Sequence, residues 1–256
     1  FADAGITAPT SIEEAWTWEE FADVARQLQS SIASDRYPFA YNWQGNGVTR
    51  WLSWLFEADG RFLTEDLTAP AIDSDAGREA VAFTSSFFTE GLVPANNSIR
   101  SSTYASDSWF DGTVPMVFAG AFLIPDAEST LQSEWAATFP PRNVRSASDF
   151  GGNALVATAA TEVPELAAQF LAFVTEAEQM QPFCERASLL PTRQDLVDGG
   201  IEFDVRPELS PVFIQQAASV LPQDSGQVAS PDMSAIIPVL QEGLEGAFVG
   251  GQDVEA

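Results

Sequence analysis

The sequence predicts an α/β fold with two lobes, because short apolar runs alternate along it with capped, amphipathic helical stretches. Residues 114–118 form a continuous apolar run of the kind a buried strand shows, and residues 37–43 alternate aromatic with small or polar side chains. Around these lie stretches with apolar residues at helical spacing, and no internal repeat or low-complexity run interrupts the alternation.

The opening holds two capping-box patterns, Ser11 with Glu14 and Thr17 with Glu20, in which a hydroxyl and a carboxylate close a first helical turn. From Trp18 the positions Phe21, Val24, Ala25, Leu28 and Ile32 share one face, predicting a helix to about Ser34. The strand at 37–43 runs into Gln44, Gly45, Asn46 and Gly47, a flexible turn, and then into Trp51, Leu52, Trp54, Leu55 and Phe56. Trp54 and Phe56 are assigned to the core. Ser74 caps a helix whose inward face is Ala80, Val81, Phe83, Thr84, Phe87 and Phe88, and Gly91 stops it.

Trp109 and Phe110 close another helix, Asp111 and Gly112 turn the chain, and the strand at 114–118 delivers Gly120 and Phe122. The carboxyl end of a strand is where open α/β sheets put ligands. Pro140 and Pro141 make a stiff turn, and residues 150–153, Phe-Gly-Gly-Asn, lead into an apolar strand at 154–159. Pro164 suits a first helical position, with Leu166, Ala167, Phe170, Leu171 and Val174 as one apolar face. Thr175 and Glu178 make a third capping box, opening a helix to about Ala187. The pattern is helical again from Pro207 through Val220. A Gly/Ser/Pro loop follows at 223–232, and a last helix carries Ile236, Ile237, Leu240, Leu244 and Phe248.

Composition removes several kinds of chemistry. There are 37 acidic residues against 11 cationic ones, all arginine, for a net charge of -26. Such a surface repels nucleic acid and anionic headgroups, whose binding needs clustered cations. The absence of histidine removes Ser-His-Asp and Cys-His catalysis and the commonest zinc ligand. Cys184 is the single cysteine, so no internal disulfide or cysteine cluster forms, and it reads as a buried, inert thiol. No metal or cofactor is expected. No apolar run approaches the eighteen or so residues of a membrane helix. The many acids could supply paired carboxylates for saccharide hydrolysis, but no pair has a distinctive context. The chain has 7 Trp and is 11% aromatic, enough to lay ring faces against sugars.

The order Phe110, Gly112, Met116, Gly120, Phe122 resembles the extracellular solute-binding proteins of carbohydrate ABC importers, a family that includes maltose-binding protein. Pro9 with Thr-Trp-Glu-Glu at 17–20, Ala-Asp-Gly at 58–60, the run from Gly151 through Gln179, and Leu-Pro-Thr-Arg at 190–193 are similar to further family blocks. The resemblance implies a two-lobed periplasmic-binding-protein-like fold of type II with its amino-terminal part missing. Residues 1–150 would be the first part of the carboxyl-terminal lobe, 151–200 part of the amino-terminal lobe, and 201–256 a return to the former.

It further implies a sugar or oligosaccharide captured between the lobes and presented to ABC permease subunits, with no catalytic residue. The site residues it implies are Trp43, Gln44, Arg50 and Trp51 on one loop, the stacking aromatic Phe122, and Gly151, Gly152 and Asn153 at the crossing between lobes. Where relatives carry a sugar-contacting aromatic, this chain has Ile237. The missing amino-terminal segment or another chain would cover the apolar faces of 151–200. The location implied is extracellular, at the cell surface or in the periplasm, with a lipid anchor on the missing amino terminus. Alternatives are a saccharide-acting enzyme with paired carboxylates and a sensor ectodomain of the same fold.

Overall fold

A computed structural model describes residues 1–149 and 151–252. In chain order its elements are α1 (Trp18–Ser31), β1 (Phe39–Tyr41), α2 (Leu52–Glu57), α3 (Asp75–Thr89), α4 (Ala105–Phe110), β2 (Met116–Phe118) and α5 (Ile124–Thr130). Then come α6 (Pro164–Val174), α7 (Ala177–Ala187), α8 (Gln194–Gly199), α9 (Ser210–Ala218), α10 (Pro222–Val228) and α11 (Met233–Phe248). The chain folds into two compact units. The first comprises Phe1–Ala119, Ala137–Phe150 and Gln215–Ala256, and the second Gly120–Ala136 and Gly151–Ile214.

In the first unit α1 starts as its sequence dictates. The Thr17 hydroxyl accepts from the Glu20 N–H, while the Glu20 carboxylate accepts from the Thr17 N–H at 2.7 Å, closing both ends of the box. The Thr17 N–H and, at 3.0 Å, the Thr17 hydroxyl both donate to the Glu20 carboxylate and hold it below its usual range. Ser74 caps α3 through the Gly77 N–H, and α4 ends at Gly112, whose φ of 80° is open to glycine at little cost. β1 and β2 pair in parallel, Phe39 with Met116 and Tyr41 with Phe118.

The free edge of β1 is finished by a side chain. Asn97 Oδ1 accepts from the Tyr41 N–H at 2.7 Å and Asn97 Nδ2 donates to the Tyr41 carbonyl at 3.2 Å, so one amide does the work of a neighbouring strand.

Aromatic rings fill this unit. Trp18 stacks on Phe83 at 4.4 Å, and Trp54 meets Phe87 at 5.4 Å and Phe118 at 5.6 Å, offset and edge contacts that aromatic quadrupoles favour. Trp54 and Phe56 lie in the core as expected. Glu57 sits among these rings, its carboxylate accepting from the Trp18 indole N–H at 2.6 Å, and burial pushes its carboxyl well up.

Away from the rings, Arg145 grips the buried Asp224 with two parallel bonds of 2.7 and 2.8 Å. Gln227 accepts from the N–H groups of Phe62 and Leu63. These anchors explain why residues 222–228 are helical where the sequence reads as a loop. Pro222 opens α10, and two buried side chains outweigh the poor propensity of Ser225 and Gly226.

The second unit is stitched by Arg206. Its guanidinium lies 4.5 Å from the Trp135 ring, donates to the Trp135 carbonyl at 3.0 Å and pairs with Glu128 at 3.3 Å. Phe203 and Phe213 pack at 6.1 Å, and the Asp204 N–H donates to the Glu185 carbonyl at 2.9 Å. Residues 120–136 and 201–214 thereby group with 151–200, whereas the sequence reading placed the former in the first part and the latter in the return.

Residues 154–159, expected as a strand, are irregular, with Leu155 and Val156 exposed. A strand needs a neighbour to take its backbone groups, and among the described residues no strand lies in this unit. α7 also lacks the expected Thr175–Glu178 box, since Glu176 is its cap and the Thr175 hydroxyl instead donates to the Leu171 carbonyl at 2.9 Å.

Candidate functional site

The first candidate region follows β1. Gly45–Trp51 winds as a 3-10 helix. It is tied at one end by the Gly45 N–H to the Ile99 carbonyl at 3.1 Å and by Gln241 Nε2 of α11 to the Gly45 carbonyl at 2.6 Å. Arg50 folds back over Gly47 and donates Nη1 to the Asn42 carbonyl at 3.0 Å, while its Nε lies 3.8 Å from Asp149 Oδ2. Burial raises the Asp149 carboxyl and Arg50 pulls it back. Beneath them the Tyr41 hydroxyl donates to the Arg50 carbonyl at 3.1 Å and lies 2.9 Å from Ser53 Oγ.

Gln44 stands out on this loop. It is 7% exposed, and neither its amide nitrogen nor its amide oxygen has a hydrogen-bond partner among the described residues. A buried amide left this way costs about 1–3 kcal/mol per group.

Trp43 and Trp51 depart from the expectation of ligand-facing rings, since both are 0% exposed. Trp43 lies 4.6 Å from Tyr41 and 5.1 Å from Phe248, with its indole N–H on the Asn97 carbonyl at 2.8 Å. The Trp51 N–H meets Thr84 Oγ1 at 3.0 Å. With faces covered and N–H groups satisfied, both are core residues.

The second unit holds the other expected residues. Phe122 is 44% exposed in a short 3-10 turn, Ala121–Leu123, that leads into α5. Gly151, Gly152 and Asn153 are exposed, and a Cβ at either glycine would meet nothing within 4 Å. Phe150, which precedes them, lies outside the described residues. The sequence reading did not single out Asp149 or Asn42, which meet Arg50 through the Asp149 carboxylate and the Asn42 backbone carbonyl. Among the described residues no group of histidine, cysteine or acidic side chains could hold a metal ion. No helix among them is long and apolar enough to cross a membrane.

The buried β1 pairs in parallel with the half-buried β2 in a helix-rich α/β unit, and solved structures share the fold of the chain. An ABC transporter solute-binding protein from Thermotoga lettingae, bound with α-D-tagatose, aligns with a TM-score of 0.78 at 19% identity, over 100% of this chain and 64% of that one. A substrate-binding protein from Listeria monocytogenes, in complex with cycloalternan, gives 0.77 at 18%, over 100% and 63%. A Mycobacterium tuberculosis protein in complex with glycerophosphocholine gives 0.76 at 19%, over 99% and 62%. The chain thus spans less than two thirds of the length of these structures.

The sequence profile of the bacterial extracellular solute-binding proteins matches residues 2–210, and the chain belongs to that family. No curated protein matches it. The family and these structural neighbours are binding proteins, and the family is extracellular.

Proposed function

We propose that this chain is part of the substrate-binding component of an ABC importer that captures a sugar or oligosaccharide and hands it to membrane permease subunits. The family match over residues 2–210 carries the reading. The chain is a binder with no catalytic role, and it works at the cell surface or in the periplasm under a lipid anchor. Two of the neighbours bind carbohydrate, α-D-tagatose and cycloalternan, in support of the ligand class.

Phe122 supplies the ring face that stacks on the sugar, and its exposure supports that role. Gln44 and Arg50, at the 3-10 turn after β1, supply hydrogen bonds to hydroxyl groups. Backbone groups at Gly151, Gly152 and Asn153 approach the ligand where no side chain intervenes. The apolar face left open by Val163, Leu166, Phe170 and Phe173 is covered by a further segment of the protein or by another chain.

A thermal-shift screen across mono- and oligosaccharides tests the reading. A rise in melting temperature with at least one sugar, graded with concentration, is expected. Turnover of an oligosaccharide into shorter products during the same incubation would overturn the assignment as a binder.

A further inference from the structure

The strand-to-helix junction after β2 contains a glycine whose backbone gives no reason for glycine. Gly120 has φ -83° and ψ 162°, an extended conformation any residue adopts, in contrast to Gly112 with φ 80°. What it lacks is room. The Phe122 ring lies across its Cα, so a Cβ at position 120 would overlap Phe122 Cε1 and sit 2.7 Å from Cδ1, inside the 3.5–4.0 Å at which carbon atoms rest. The Gly120 carbonyl also accepts from the Leu123 N–H at 3.1 Å, which closes the turn that carries Phe122. Ile124 and Ala127, just beyond, are buried and fix the start of α5. The Phe122 backbone is therefore held from both sides, and the ring rests on the one position without a side chain.

We propose that Gly120 is a positioning residue whose missing side chain seats the Phe122 ring in the orientation that meets a sugar. This rests on the reading of Phe122 as the stacking face, but the seating itself does not. Because the backbone at 120 accepts alanine, Gly120→Ala folds, and the added methyl acts on the ring. The ring must move by about 1 Å or rotate about χ1 to restore normal contact.

Crystal structures of the wild type and of Gly120→Ala test the seating without any ligand. A displaced or rotated Phe122 ring over an unchanged turn is expected, and a ring that stays in place over an alanine overturns the proposal. Calorimetry with maltotriose as probe, on Gly120→Ala, Phe122→Ala and the double variant, tests the consequence. Gly120→Ala is expected to weaken binding about fivefold and to add nothing in the Phe122→Ala background. Full additivity would overturn a role exerted through the ring. Intact affinity in Phe122→Ala beside a displaced ring in Gly120→Ala would instead discard the stacking reading and leave the seating in place.

Discussion

Helix α2, Leu-Ser-Trp-Leu-Phe-Glu, buries every one of its residues, whereas α6, Pro-Glu-Leu-Ala-Ala-Gln-Phe-Leu-Ala-Phe-Val, buries none. Both are rich in large apolar side chains, and α6 has the cleaner helical stripe. The contrast lies in what each meets: α2 is surrounded by the rings of Trp18, Phe83 and Phe87 in its unit, and α6 presents Leu166, Phe170 and Phe173 to open space. Apolar pattern therefore reports what a helix needs covered, and only packing shows whether the cover is present.

Replacing a ring in the covered region should have the largest effect. Trp51→Ala or Trp43→Ala should cost about 3–5 kcal/mol in urea unfolding, the range for emptying a filled aromatic site. A loss under about 1 kcal/mol would show that the first unit is not closed around them.

Next comes Arg145→Ala, which strands the 2% exposed Asp224 carboxylate and should cost roughly 3 kcal/mol by the same measurement. Asp224→Asn in that background should recover part of the loss, since it removes the stranded charge.

Glu57 sharpens the comparison through pH. Its folded carboxyl titrates well above the ordinary 4.5, chiefly through burial. The stability this group contributes is fully present below that ordinary value and is lost as pH rises through the folded one. Glu57→Gln keeps an acceptor for the Trp18 N–H and cannot ionise. As pH rises above the ordinary carboxyl range, unfolding midpoints should therefore fall less steeply in the variant than in the wild type, and equal slopes would refute the shift.

In the uncovered region the effects should be small. Phe170→Gln should change stability by no more than about 0.5 kcal/mol, as for exposed positions generally, while lowering the fluorescence of an apolar dye. A loss of several kcal/mol would mean that Phe170 is buried in the protein as isolated.

Much of the fold is legible in the sequence, because local chemistry determines where helices begin. The Thr17–Glu20 box, the Ser74 cap, Pro164 and the Gly112 turn all act within one or two turns of chain. The misreadings come from distance. A Gly/Ser/Pro stretch became α10 because its Gln227 reaches back to Phe62, and 154–159 stayed irregular for want of a neighbouring strand. The site divides the same way. Trp43 and Trp51 look identical to ligand-facing aromatics in sequence, and only long-range partners such as Asn97, Thr84 and Phe248 mark them as core. Phe122 keeps its exposure because its turn and the bare Gly120 are local.

In the proposed function the exposed Phe122 meets the sugar, while the buried Trp43 and Trp51 hold the fold. Titration calorimetry of Phe122→Ala against the tightest sugar from the screen, paired with its melting temperature, tests that most directly. The expected result is affinity lowered about fivefold or more with the melting temperature within a few degrees of wild type. Unchanged affinity with a collapsed melting temperature would contradict it, placing Phe122 among the packing residues with Trp43 and Trp51.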